Sequence, residues 1–154
     1  MLDLGCKDGY GAHILSQFAE HIILADRNEE WLGIAKNHRY YSRVGFQIVD
    51  LEKSFPEGNY DVVVAFEVIE HVANTESLLE NIADSLNEGG ILVFSVPHMI
   101  ENPDHKVLFD EEKIKNLISR RFKIQEFYIQ NRFCISGKTI KRPEKTYVGV
   151  AIKK

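Results

Sequence analysis

The stretch Tyr60-Asp-Val-Val-Val-Ala-Phe66 constrains this chain more than any other. Four consecutive apolar residues, 62–65, leave no polar face, so the run predicts a strand buried on both sides. Such a strand needs cover above and below it, and the flanking sequence supplies helices. Asn74 or Thr75 can cap a helix to about Asn87, with Leu78, Leu79, Ile82 and Leu86 inward and Gly89-Gly90 as its stop. Ile91–Val96 then reads as a second buried strand, broken by Pro97.

The same alternation runs through the rest of the chain. Met1–Leu4 is a strand, and Tyr10–Ala19 carries Ala12, Leu15, Phe18 and Ala19 at helical spacing. His21–Ala25 is an apolar run closing on Asp26. Asn28 is placed to cap a helix over 29–37, with Trp31, Leu32, Ile34 and Ala35 on one face. Val44–Val49 is a strand closing on Asp50, and 51–59, with Pro56 and Gly58, is a loop. Asp110 caps a helix to about Arg120 that turns Ile114, Leu117 and Ile118 inward. Phe122–Ile129 and Thr146–Ile152 alternate like paired strands, joined by a polar loop over 131–145. Strands separated by helices predict βαβ units and a mainly parallel sheet. Two closing strands with no helix between them predict an antiparallel edge hairpin. A length of 154 residues is that of one domain.

Composition narrows the function classes. A formal net charge of -4 argues against bulk nucleic acid and anionic membrane as partners. No apolar run of about 18 residues occurs, so no membrane span is expected. Two cysteines, Cys6 and Cys134, with no CxxC or Cys/His cluster, predict neither a disulfide framework nor a metal site. A reducing compartment, by default the cytoplasm, is the expected location.

In open parallel sheets ligands sit beyond the carboxyl ends of the strands. The first strand ends in Asp3 and the loop Gly5-Cys6-Lys7-Asp8-Gly9-Tyr10-Gly11, where a glycine would also be expected at position 7. Glycines let such a loop turn sharply and approach a ligand, and the following helix presents free N–H groups. The second strand ends in Asp26, roughly twenty residues on, the spacing at which an acid reaches a ribose diol. The third ends in Asp50-Leu51, an acid able to accept from an exocyclic amine beside a side chain able to cover a purine. The fourth runs into Phe66-Glu67 and then Val-Ile-Glu-His-Val. Gly5, Gly9 and Gly11 do not fit the G-x-G-x-x-G spacing, which turns the reading away from a nicotinamide cofactor.

Together DLGCKDG, IILAD, IVDLEKSFPEGNYDVVVAFEVIEHV and LNEGGILVFSVP resemble class I S-adenosylmethionine-dependent methyltransferases. The resemblance is greatest to the small-molecule branch of ubiquinone/menaquinone-type and sugar methyltransferases, and it holds in register from Met1 to Pro97. It implies a Rossmann-like α/β fold: a seven-stranded, mainly parallel sheet of order 3-2-1-4-5-7-6 with helices on both faces. One S-adenosylmethionine-binding domain would span 1–154. Asp3 would hold the loop and, directly or through water, the cofactor's amino group. Gly5 and Gly9 would admit its methionine portion. Asp26 would take the ribose hydroxyls, Asp50 the adenine amine, Leu51 an adenine face, and Phe66 would lie near the transferred methyl. Lys7 could crowd the methionine portion, point outward, or pair with the cofactor carboxylate.

Methyl transfer from a sulfonium is an in-line displacement, so the protein chiefly aligns the reactants and excludes water. A base is needed only where the acceptor keeps its proton. Glu67, Glu70, His71, His98 and His105 lie on the expected side of the sheet, and the three histidines are the catalytic candidates. Glu70 and His71 could equally stabilise a turn. Arg132, Lys138, Lys141, Arg142 and Lys145 would engage an anionic acceptor or form a solvated hairpin loop, and Tyr10, Tyr40 and Tyr41 read as packing residues. The acidic pair expected for a polyamine acceptor is not evident, which sets aside aminopropyl transfer. Relatives carry an amino-terminal helical segment that this sequence is expected to lack, which leaves the cofactor site open: a second copy in a homodimer or a partner subunit would cover it, the chain would be a truncation, or it would bind the cofactor without turning over. The implied function is methyl transfer to a small-molecule acceptor at O, N or C. The alternative is a module that binds S-adenosylmethionine or S-adenosylhomocysteine with little turnover and regulates or completes a partner.

Overall fold

Seven strands and four α-helices follow one another in the described residues, 1–132 and 144–154, of the computed structural model. They are β1 Leu2–Leu4, α1 Tyr10–Leu15, β2 His21–Asp26, α2 Glu29–Ala35, β3 Arg43–Ile48 and β4 Tyr60–Phe66. Then come α3 Thr75–Ser85, β5 Leu86–Pro97, α4 Glu111–Ser119, β6 Phe122–Arg132 and β7 Glu144–Lys153. Cys134, Lys138, Lys141 and Arg142 lie outside the described residues. The strands form one sheet of order β3-β2-β1-β4-β5-β7-β6. β7 runs antiparallel to both β5 and β6, and the other neighbours are parallel. The order and the closing hairpin are those expected from the sequence.

The centre of the sheet is the apolar run Tyr60–Phe66. β4 lies between β1 and β5, with Leu2 opposite Val63 and Leu4 opposite Ala65. Val63, Val64 and Ala65 are buried. Leu2 and Leu4 join the larger core with Leu78, Leu79 and Ile82 of α3 and Ile114 and Ile118 of α4. Ile22 and Leu24 of β2 turn to the opposite face, against Ala12 of α1 and Leu32 and Ala35 of α2. Three helices begin at the expected caps. The Asn28 side chain accepts the N–H groups of Glu30 and Trp31, Asn74 accepts that of Ser77, and Asp110 that of Lys113. Each such cap contributes about 1 kcal/mol.

The structure departs from the periodicity in three places. α3 stops at Ser85 rather than near Asn87, because Leu86 goes into β5: it is extended, buried and paired with Tyr60. Gly89-Gly90 therefore serve a tight strand entry and not a helix stop, and a side chain at Gly90 would come within 2.9 Å of the Asn87 carbonyl oxygen. Phe18, Trp31 and Ile34 are exposed, since α1 and α2 are short and bury only a narrow stripe, Ala12 in one and Leu32 and Ala35 in the other. Tyr10 and Tyr41 are exposed as well, while Tyr40 packs as expected and donates its O–H to the Ala35 carbonyl at 2.8 Å. No described helix is long and apolar enough to cross a membrane.

Candidate active site

The carboxyl ends of β1, β2, β3 and β4 open onto one cleft of about 350 Å³, within the roughly 300–1,000 Å³ of small-ligand sites. A groove of about 390 Å³ beside α3 and α4 holds none of the strand-end residues.

Its near wall is the glycine loop. The N–H groups of Gly5 and Cys6 both donate to the Ala25 carbonyl, at 2.8 and 3.3 Å, which folds the loop over the end of β2. Gly5 has φ +65°, and a Cβ there would stand 2.7 Å from Val68 Cγ2, so only glycine fits. Lys7 is also left-handed, with φ 48°, and its N–H donates to Asp26 Oδ2 at 3.0 Å. That backbone explains why a glycine is expected at position 7. A lysine holds the same conformation at a cost of about 1–2 kcal/mol. Gly9 faces elsewhere: a Cβ would strike the Tyr40 hydroxyl and come within 2.9 Å of Ala35 Cβ, so it lets α1 approach α2.

Asp26 ties the loop to α2. Besides Lys7 it accepts the Asn28 N–H on Oδ1 at 2.8 Å, and each oxygen retains a second lone pair for a ligand hydroxyl. Asp50 accepts the Glu52 N–H at 3.2 Å and pairs with Lys53 at 2.8 Å. The Lys53 ammonium holds its carboxyl below the usual range. Leu51 lines the same cleft while packing against the core. Trp31, one turn into α2, lines it too. Helical spacing groups Trp31 with Leu32, Ile34 and Ala35 on one face, and its nearness to Asp26 in the sequence is the signal for its place at the cleft.

Asp3 lies beneath the cleft, and no hydrogen bond to its carboxyl is found among the described residues. Burial first, and the Asp26 charge second, push its pKa up to about 7. Burial also pushes the Cys6 thiol well above its ordinary value, which leaves it a packing group rather than a nucleophile.

The far wall follows β4. Glu67 is left-handed, with φ 53°; its N–H donates to the Ser95 carbonyl and hydroxyl oxygens at 3.0 and 3.1 Å. The Ser95 hydroxyl in turn donates to Glu67 Oε1 at 2.9 Å. Two of the three non-glycine left-handed residues described, Lys7 and Glu67, thus stand on opposite walls of one cleft. Such strain gathers where a site must hold a particular shape. His71 lines the cleft, with Nδ1 3.0 Å from the Asp104 carbonyl oxygen, and its ring meets His105 edge-on with centroids 4.9 Å apart. Glu70 is buried with both carboxylate oxygens unpartnered, and burial chiefly pushes its pKa up to about 8.

The structure therefore brings Gly5, Lys7, Asp26, Asp50, Leu51 and His71 to one cleft, with Asp3 beneath it and His105 beside His71. Gly9, Phe66 and His98 are not among the residues lining it. His98 bridges to Phe109 and shares a 2.6 Å hydrogen bond with the Tyr147 hydroxyl, while its N–H donates to the Lys145 carbonyl.

A doubly wound sheet whose strand-end acids ring one cleft beside a glycine loop is a Rossmann-like domain, the fold in which nucleotide-type ligands bind at that end of the sheet. A family model described as a methyltransferase domain matches residues 1–122, and the chain belongs to that family. It is 30% identical over 128 residues to a Mycobacterium tuberculosis protein named a probable S-adenosylmethionine-dependent methyltransferase, covering 77% of this chain and 46% of that one. It is 32% identical over 97 residues to a malonyl-[acyl-carrier protein] O-methyltransferase of Bacillus cereus, covering 62% and 36%. The chain spans less than half the length of these curated relatives. Among solved structures it superimposes on the N-methyltransferase NodS of Bradyrhizobium japonicum in complex with S-adenosyl-L-homocysteine. The TM-score is 0.78 at 16% identity, over 99% of this chain and 76% of that one, a likeness of fold.

Proposed function

We propose that the chain binds S-adenosylmethionine in the cleft and transfers its methyl group to an oxygen, nitrogen or carbon of a small-molecule acceptor. The observation that carries this reading is the gathering of the glycine loop, Asp26, Asp50 and Leu51 around one cleft in a chain of this family. The residues fit the group. The buried, unpartnered carboxyl of Asp3 suits the ammonium, directly or through water, and Lys7 suits the carboxylate. The free lone pairs of Asp26 suit ribose hydroxyls, Asp50 suits an exocyclic amine, and Leu51 and Trp31 offer apolar faces to the purine. When bound, the sulfonium supplies an electrophilic methyl group.

The chain's own residues hold the reactants in line and keep water out. Where the acceptor carries a proton, His71 takes it at Nε2. A carbonyl only accepts, so Nδ1 beside the Asp104 carbonyl carries the ring proton and Nε2 is left with a lone pair. We place the reaction in a reducing compartment, a reading supported by the free, buried Cys6 thiol. The test is label transfer from methyl-labelled S-adenosylmethionine to the small-molecule fraction of a cell extract. Labelled small-molecule product, lost in Asp26→Ala, is expected. A cofactor-loaded protein that labels no small molecule in that fraction contradicts the proposal.

A further inference from the structure

One group of side chains on the far wall is not explained by cofactor binding. Glu70 sits on the single helical turn Ile69–His71, 1% exposed, with neither carboxylate oxygen hydrogen-bonded. A buried carboxylate without a partner is expensive, and native structures rarely leave one so. His71 and His105 stand beside it. Their Nδ1 atoms lie 3.0 and 2.8 Å from the backbone carbonyl oxygens of Asp104 and Ile100. In the neutral rings both Nδ1 atoms donate there, which leaves both Nε2 atoms with bare lone pairs. In that state His71 Nε2 faces Glu70 Oε1 at 3.8 Å, beyond hydrogen-bond reach. One ligand atom from each of the three residues lies within 4.8 Å of the others.

We propose that Glu70, His71 and His105 bind a divalent transition-metal ion of the zinc class, with an open coordination position toward the cleft. Imidazoles fixed through Nδ1 by backbone carbonyls are oriented as metal ligands are, the second bond setting the tautomer that frees Nε2. Two imidazoles and one carboxylate suit zinc, cobalt, manganese or iron(II), whereas magnesium and calcium favour all-oxygen sets. Three protein ligands with a vacancy is the pattern of a reactive site rather than a closed structural one. A contraction of roughly an ångström brings the donors to the spacing set by bonds of about 2.0–2.2 Å. The scaffold is stitched for it: the Glu70 carbonyl accepts the N–H groups of Lys106 and Val107, which holds His105 beside the turn. Three other charged groups bear on the set. Lys7 acts on Glu70 through its charge but forms no ion pair among the described residues, Glu67 is held by Ser95, and Asp104 lines the cleft. His71 itself lines the cleft, so an acceptor atom there could complete the coordination; with the ion bound, His71 Nε2 is a ligand and no longer a base, and the ion's charge would instead lower the acceptor's pKa. That last role rests on the methyl-transfer reading; the ion's binding does not.

The test is a titration of chelator-treated, dialysed protein with cobalt(II) alone, followed by competition with zinc(II), near neutral pH. One equivalent of cobalt is expected, with a visible absorption band that zinc abolishes and a metal-dependent rise in Tm. His71→Ala and His105→Ala should each weaken binding by more than roughly 100-fold, since even outer partners cost 10–100-fold. Asp26→Ala should leave it unchanged. His105 is only half-buried, so its variant tests the site even where Glu70→Gln fails to fold. No saturable binding, or binding undiminished in His105→Ala, overturns the proposal. S-adenosylhomocysteine titrated into the same samples reports on the cofactor reading separately.

Discussion

Asp3→Asn should make this protein more stable and less able to bind its cofactor. The carboxyl is buried and ionises near pH 7 in the folded chain, against an ordinary value of 3.8. An acid whose folded pKa is raised binds more protons folded than unfolded, so stability is lost as pH rises from the unfolded value through the folded one. The loss accumulates at about 1.4 kcal/mol per pH unit in that window. It amounts to about 2 kcal/mol at pH 5 and about 4 kcal/mol at pH 8, beyond which it is flat. Asparagine keeps the shape and removes the ionisation. Urea denaturation of both proteins across pH 5 to 8 isolates the effect, because titrating groups not coupled to Asp3 cancel in the difference. The stability advantage of the variant should grow by about 2–3 kcal/mol over that range. Cofactor affinity should fall by roughly 10- to 100-fold at pH 8, the worth of one charge-assisted contact to the ammonium. A difference that does not change with pH would refute the buried, shifted carboxyl. A variant that binds as tightly as the wild type would refute its role toward the ammonium.

Other substitutions test the same cleft. Lys7→Gly should stabilise by about 0.5–1 kcal/mol, read as a shift in the urea midpoint, because glycine adopts φ 48° without strain. Gly5→Ala should destabilise by about 1–3 kcal/mol, from the left-handed backbone and the contact with Val68, measured in the same way. Asp26→Ala removes two backbone hydrogen bonds and the ribose acceptor together. Its affinity for S-adenosylhomocysteine should drop at least tenfold by calorimetry, at about 1.5–3 kcal/mol per bond to a charged group.

Legibility from sequence followed the physics of each element. β4 announces itself because four apolar residues in a row can only be buried between layers. The caps Asn28, Asn74 and Asp110 are local, and each is where the residue type places it. Trp31 was hidden because a helix of seven residues is too short for periodicity to distinguish a core stripe from a cleft wall. The end of α3 was hidden because Leu86 satisfies the same apolar demand from a strand as from a helix. Asp26 was legible as a strand-end acid but not as the anchor of Lys7, a contact made through backbone geometry. The pairing of His71 with His105 was beyond reach for a different reason. It depends on long-range hydrogen bonds from Lys106 and Val107 to Glu70, which no local pattern encodes.

Trp31 is the chain's single tryptophan and lines the same cleft as Asp26 and Asp50, so it reports directly on the central claim. The decisive measurement is its fluorescence during titration with S-adenosylhomocysteine. A saturable change at one equivalent per chain, shifted to higher concentration in Asp26→Ala, is the predicted result. A folded protein whose Trp31 emission does not respond, and whose calorimetric titration shows no heat, would contradict the assignment of this cleft.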